Sequence, residues 1–223
     1  EERVAEDLAA RERDDGALAP AQRLGHGDAT EVIEMNDHPA QSVRRKTDSS
    51  INVALRLVKE GKASAMMSAG NSGAVMASSL MTLGRIPGID RPAIISGIPN
   101  AKGSFSFIVD LGAVTDPKPI NMVQFAVMGQ IYARSVMDIP NPTIGLVSNG
   151  EEASKGNALI QKAYPLLNAT AGLNFVGNVE GKDIPAGTVD VYVMDGFTGN
   201  VVLKTIEGVA SMLIQVIREE ITN

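Results

Sequence analysis

Four Gly-Asn pairs, Gly70-Asn71, Gly156-Asn157, Gly177-Asn178 and Gly199-Asn200, each follow closely on an apolar, strand-like run. With 22 Gly in 223 residues, random placement gives fewer such pairs, so the recurrence calls for a reason. Glycine admits positive φ and close backbone approach to a ligand. Asparagine adds an amide with two donors and an acceptor, and tolerates left-handed turns. Set just past strand ends, such pairs build a polar rim on one edge of a sheet, the edge at which open α/β folds bind ligands. Turn chemistry alone accounts for any one pair; the four together point to a site.

Three loops carry the potential chemistry. Ser68-Ala69-Gly70-Asn71-Ser72-Gly73 joins an apolar run to a helical one, so its backbone N–H groups and the helix N-terminus form an anion site. Asp195-Gly196-Phe197-Thr198-Gly199-Asn200 repeats the arrangement. In Ser148-Asn149-Gly150-Glu151-Glu152 and the following Ser154-Lys155-Gly156-Asn157, a lysine joins the positive end of a helix dipole. Helix capping by Ser and Asn is the plainer reading of each loop. Converging on one sheet edge, they suggest a phosphate or similar anion, and chemistry by positioning and electrostatics. Asp110 and Asp195 end apolar runs; they could orient a lysine, cap a loop or bind Mg²⁺, and a structural cap is the first expectation for Asp110.

Several chemistries lose their usual markers. His26 and His38 are the only histidines, both in the weakly patterned N-terminal part, which disfavours a Ser-His-Asp triad or a His-rich metal site. Zero Cys excludes disulfides, thiolate ligands and a Cys nucleophile, and fits a reducing compartment. There is no Gly-x-Gly-x-x-Gly, and Glu60-Gly61-Lys62-Ala63 lacks the loop and hydroxyl of a P-loop. No cofactor or metal is expected. A net charge of −6 argues against nucleic acid as the main partner; Arg44-Arg45-Lys46 is the one dense basic cluster. No stretch approaches the roughly 18 apolar residues of a membrane span.

The elements that must position these loops read as α/β. Glu1 to Arg13 suggests a charged helix and Asp14 to Asp28 loops. Asp48-Ser49-Ser50 offers caps to a helix over 51–58 that stops at Gly61. Strands are expected at 63–68, 92–98, 105–110, 143–148, 173–176 and 189–194. Helices are expected at 72–83, from Pro119 to about Met137, at 156–167, and from about Gly199 to the end. Short apolar runs alternating with helices predict a mostly parallel sheet covered on both faces. Scarce aromatics (4%) leave the core to aliphatic residues. The opening at Glu1-Glu2-Arg3 without Met, and an apparently mid-helix end at Asn223, suggest a piece of something longer: one α/β domain over residues 1–223 lacking its first strand and its C-terminal segment.

Several long motifs resemble the phosphate acyltransferases of phospholipid synthesis. These are Ser-Ala-Gly-Asn-Ser-Gly at 68–73, Gly-Arg-Ile-Pro-Gly-Ile-Asp-Arg-Pro at 84–92 and Gly150-Glu151-Glu152-x-x-Lys155-Gly156-Asn157. Gly-Asn-Val-Glu-Gly at 177–181, Asp-Gly-Phe-Thr-Gly-Asn-Val at 195–201 and Arg44-Arg45-Lys46-x-Asp48-Ser49-Ser50 extend the match from about Glu31 onward. Where the family typically has Asp-Val-Gly-Ala-Asn, this chain has Asp110-Leu111-Gly112-Ala113-Val114, an amide exchanged for an apolar side chain. The family's Asp-Ala-Met-Gly-Gly-Asp strand is absent, as is everything beyond the last helix.

The resemblance implies a fold like that of phosphotransacetylases and isopropylmalate dehydrogenases. It also implies transfer of a fatty acyl group from acyl carrier protein to inorganic phosphate. Under that reading Lys155 and Asn200 are the catalytic pair. Phosphate and substrate contacts fall to Ser68, Gly70, Asn71, Ser72, Gly73, Asp110, Gly156, Asn157, Asp195, Thr198 and Gly199. Arg44, Arg45, Arg85 and Arg91 are candidates for meeting the acidic carrier protein, with solvated surface the plainer alternative. A homodimer is implied, in the cytoplasm, with peripheral contact at the inner membrane face through a segment not in this sequence. A related enzyme using coenzyme A thioesters, a dehydrogenase of the same fold, and a non-catalytic carrier- or membrane-binding relative with an eroded site stay open.

Overall fold

The computed structural model describes residues 29–222, together with two short antiparallel strands, β1 (Arg13–Asp14) and β2 (Ala17–Leu18). His26 and all but the last residue of the helix expected from Glu1 to Arg13 lie outside the described residues. The strand pair stands where the end of that helix and the start of loops were expected. The chain divides into two compact units, Glu1–Ile86 and Pro87–Asn223.

The first unit holds α1 (Pro39–Arg45), α2 (Ser50–Lys59) and α3 (Ser72–Thr82). Pro39 opens α1, where its missing N–H costs nothing; that helix was not foreseen. Ile33, Val43, Ile51, Leu55 and Ala74 form the core of this unit. The expected capping of α2 takes a different form. Ser49 stands at the cap position without a side-chain bond. Asp48 instead accepts from the backbone N–H (3.0 Å) and hydroxyl (2.7 Å) of Thr30. The strand expected over 63–68 does not form: the segment is irregular, and Met67 is 88% exposed. Its Ala, Ser and Met side chains have weak strand preference, and no strand among the described residues pairs with it.

The second unit is built on a five-stranded sheet of β3 (Ile95–Pro99), β4 (Phe105–Val109), β5 (Thr143–Val147), β6 (Asn174–Val179) and β7 (Val191–Val193). The order is β3-β4-β7-β5-β6. β3 runs antiparallel to β4 as a hairpin, and β4, β7, β5 and β6 are parallel. Side chains alternate between faces with the strand period of two. Phe107, Val109, Ile144, Leu146, Val191 and Val193 pack with α4 (Pro119–Met137) and α5 (Ala158–Ala169) through Met122, Phe125, Ala126, Ile160, Ala163 and Leu167. Ile108, Tyr192 and Met194 pack in a second cluster with Ile184 of α6 (Asp183–Ala186) and with Val202, Leu203 and Ile206 of α7 (Gly196–Thr222). Each fully buried aliphatic side chain contributes roughly 1.5–3 kcal/mol. The sheet is therefore covered on both faces, as the continuous apolar runs predict.

Two Gly-Asn pairs are not where the sequence suggested. Gly177-Asn178 lies inside β6, and Gly199-Asn200 lies inside α7, which starts at Gly196. Between Ile144 and Gly145 the β5–β6 register slips, so that Gly145 faces Gly177 and Val176 is extra. Gly177, at φ +108°, supplies the backbone conformation this bulge needs. α7 also corrects the expectation that nothing approaches a membrane span: by length and composition alone it is long and apolar enough. It carries a Lys204–Glu207 ion pair at 2.8 Å, and Val202, Leu203 and Ile206 in its early turns pack on the sheet.

Candidate active site at the carboxyl edge of the sheet

Because β4, β7, β5 and β6 are parallel, their carboxyl ends deliver four loops to one edge. Three of those loops hold the residues singled out above in the second unit. The turn after β4 is organised by Asp110, which is wholly buried. Its Oδ1 accepts from the backbone N–H of Ile94 (2.9 Å), Gly112 (3.2 Å) and Ala113 (3.0 Å), and its Oδ2 from that of Val114 (2.7 Å). With both oxygens engaged by main chain, this carboxylate winds the 110–114 turn about itself. The Val114 carbonyl then accepts the Gly196 N–H at 2.8 Å, joining the turn to the first residue of α7.

The closeness of that junction dictates two glycines. A Cβ on Gly199 would sit 1.8 Å from the Asp110 carbonyl oxygen. One on Gly196 would sit 2.7 Å from Asp110 Oδ2 and 2.8 Å from the Val114 oxygen. Asp195 caps α7, accepting from the Thr198 N–H (2.9 Å) and Thr198 Oγ1 (2.7 Å). Asn200, in the next turn, is exposed, and its amide has no partner among the described residues. Its Cβ lies 3.6 Å from where a Cβ on Gly112 would stand, so Asn200 overlooks the Asp110 turn. Val114, the departure from the family pattern, uses its backbone here, while its side chain packs against the core.

The loop after β5 is more open. Ser148 N–H donates to the Val179 carbonyl at 2.8 Å, continuing the ladder with β6. Asn149 Oδ1 accepts the Gly156 N–H at 2.9 Å, and Asn157 caps α5 by accepting from Leu159 and Ile160, each at 3.0 Å. Gly156 takes φ +96° against Ile160. Between these ties Lys155 is exposed, with no ion pair among the described residues. Nearby, Lys182 is bonded to Glu180, and that hydrogen bond and charge, with Glu151 adding more, hold its pKa above the usual lysine value. Lys155 and Asn200 thus rise from the adjacent strands β5 and β7, each with an uncommitted polar head.

The Ser68–Gly73 loop belongs to the first unit. Asn71 caps α3 by accepting from the Ala74 N–H at 3.0 Å, and its amide donates to the carbonyls of Glu34, Met35 and Asp37. Ser68 Oγ accepts the Gly70 N–H at 3.1 Å. Gly73 passes so near Pro39 that a Cβ would meet its ring at 2.7 Å. Ser72 is exposed at the helix start. Arg44 and Arg45 end α1 on the surface, and Arg85 and Arg91 are exposed in the segment beyond α3. No group of three or more His, Asp or Glu among the described residues is placed to hold a metal ion.

Three contributors stood in motifs singled out from the sequence without a role of their own: Asn149, the Val114 backbone and Asn178. Asn178 is 6% exposed, and its amide donates to the Glu152 carbonyl at 2.8 Å. The Gly-Asn pairing at 177–178 was the available signal, but it read as a turn following a strand.

The chain is similar to proteins whose functions have names. A family model described as fatty acid synthesis protein matches residues 19–223. A phosphate acyltransferase of Desulfitobacterium hafniense (strain Y51) is 58% identical over 196 residues, covering 87% of this chain and 58% of the relative. One of Pelotomaculum thermopropionicum is 55% identical over 194 residues, covering 87% and 56%. The chain therefore spans a little over half the length of these relatives. Among solved structures, a phosphotransacetylase from Streptococcus pyogenes aligns with TM-score 0.59 at 18% identity, over 77% of this chain and 58% of that one. EutD phosphotransacetylase from Staphylococcus aureus aligns with TM-score 0.55 at 17% identity, with the same coverages. At such identity the structures speak for the fold, a mixed α/β sheet flanked by helices, while the family match takes in most of the sequence: the chain belongs to the fatty acid synthesis protein family.

Proposed function

We propose that the protein carrying this chain transfers a fatty acyl group from acyl carrier protein to inorganic phosphate. The observation that carries this reading is the pair of uncommitted heads, Lys155 in the loop after β5 and Asn200 at the start of the helix after β7, delivered by two adjacent parallel strands to one edge of the sheet, where the acid of the neighbouring β4 turn is saturated by main chain. The phosphate acyltransferase names of relatives at 55–58% identity supply the reaction class.

Phosphate is itself a nucleophile, so no Ser, Cys or His of the enzyme needs to attack. A phosphate oxygen adds to the thioester carbonyl, the carbon–sulfur bond breaks, and the proton of hydrogen phosphate passes to the departing thiolate. The products are acyl phosphate and carrier thiol. Holding the two reactants together lowers the barrier by several kcal/mol. Lys155 neutralises phosphate charge, and the Asn200 amide donates to the oxyanion that develops on the carbonyl, where one placed donor is worth about 3–4 kcal/mol. The main chain at Gly156 and Gly199 is the phosphate cradle of the second unit, and the α3 N-terminus at Ser72 and Gly73 is an anion-binding helix start of the first. Asp110, Asp195 and Asn157 act through the loops they hold, and Thr198 through its hydroxyl. Both units belong to one acyltransferase domain, which works as a cytoplasmic homodimer with peripheral membrane contact. Arg44, Arg45, Arg85 and Arg91 attract the acidic carrier, an effect that weakens with salt.

The test mixes the protein with long-chain acyl carrier protein and phosphate and traps acyl phosphate as hydroxamate, with acyl coenzyme A as a parallel donor. The expected result is phosphate-dependent product from the carrier donor, falling about 100-fold or more in Lys155→Ala and in Asn200→Ala. Full activity in a folded Lys155→Ala protein would remove the core of the proposal. Product from acyl coenzyme A alone would reassign the donor.

A further inference from the structure

We infer that Asn178 is a positioning residue for Lys155, acting through the carbonyl of Glu152; this rests on the acyltransferase reading of Lys155. That carbonyl accepts two hydrogen bonds, from the Asn178 amide at 2.8 Å and from the Lys155 backbone N–H at 2.9 Å. One buried side chain of β6 therefore grips the same oxygen that sets the Lys155 main chain. From the other side, Gln161 of α5 donates to the carbonyls of Ser154 (3.0 Å) and Gly156 (3.1 Å). Lys155 sits between two amide clamps. Its stem lies over Gly150, where a Cβ would meet Lys155 Cγ at 2.8 Å.

The chemistry of Asn178 favours this role over simple packing. Its Oδ1 is buried without a partner among the described residues, a cost that an apolar side chain of like size would avoid. The bonded end of this amide is its donor. The amide orientation is fixed by its acceptor, because Glu152 O can only accept. The bulge at Val176-Gly177 just before it re-aims the side chains that follow, which places this donor against the β5 loop.

The test uses Asn178→Leu, neutral and close in volume, beside Asn178→Asp, which keeps the shape and loses the donor. Amide hydrogen exchange is read at Lys155 and across the sheet, and kinetics are read against phosphate. In both variants the Lys155 amide is expected to lose about tenfold of its protection, the effect of one lost hydrogen bond. Amides of β4 and β7 keep theirs. The kcat/KM for phosphate is expected to fall about 100-fold, as for a misplaced catalytic group, and to fall no further when Lys155→Ala is combined with either change. Unchanged Lys155 exchange in folded Asn178→Leu would overturn the proposal, as would a full additional loss on the Lys155→Ala background. The exchange result stands whether or not wild-type protein makes acyl phosphate, so failure of the reaction assignment is told apart from failure of the positioning role.

Discussion

Two loops of the carboxyl edge, one on each side of the β5–β7 pairing, are built on opposite plans. The corner formed by the β4 turn and the start of α7 has no slack: Asp110 is buried, both its oxygens are engaged, and two glycines approach main chain too closely for any side chain. The β5 loop is exposed and leaves its lysine uncommitted. Asp110, for which a structural cap was the first expectation, spends its charge on architecture, and Lys155 in the β5 loop does not. A charged residue near a sheet edge is thus better judged by the bonds it has left than by its position.

That contrast can be broken or sharpened in order of effect. Gly199→Ala must displace the Asp110 carbonyl, and should cost on the order of 4 kcal/mol or abolish folding, measured by urea unfolding. Asp110→Asn can no longer accept with both ends of its side chain, and should cost about 2–3 kcal/mol while leaving Lys155 intact. If it lowered activity without lowering stability, Asp110 would belong with Lys155 and the contrast would collapse. Gly156→Ala should cost roughly 2 kcal/mol from its left-handed backbone, and should disturb the β5 loop and the start of α5, where the new Cβ meets Ile160. Lys155→Gln should leave the unfolding midpoint within about 0.5 kcal/mol and remove activity.

The smallest effect belongs to acid. Lys46 beside Asp37, chiefly by its hydrogen bond, and Thr30 against Asp48 hold both carboxyls below their ordinary values. Such ties are complete above about pH 4 and fade as the pH falls through the depressed values. A slight acid loosening of the first unit is expected, read from exchange at Glu31 and Glu34.

Legibility in the sequence followed how local each determinant was. The α4 boundaries, Pro119 to Met137, were readable because Pro fixes the first turn and the apolar pattern is long. The strands with aliphatic runs were placed to within a few residues. The run at 63–68 failed because apolar character without a partner strand does not make a strand. Asn71 and Asn157 were readable as caps, since a cap is written in adjacent residues. Asn178 was not, because its acceptor is the Glu152 carbonyl and its setting depends on a register slip. The role of Val114 was hidden for a similar reason: the family difference is in its side chain, and the structural bond is in its main chain.

The order of the strands has a consequence for how the protein acquires its site. Among the described residues β7 is the last strand in sequence, yet it lies between β4 and β5. Neither neighbour can complete its ladder until the chain beyond Val191 arrives, and the loop from Val109 to Val191 must close first at an entropic cost. Such non-local pairing slows folding. Asp195, Gly199 and Asn200 follow directly on that strand, so the polar corner assembles in the same late step that joins the two halves of the sheet. During synthesis the growing chain carries Lys155 and its loop well before it carries the strand that joins β5 to β4.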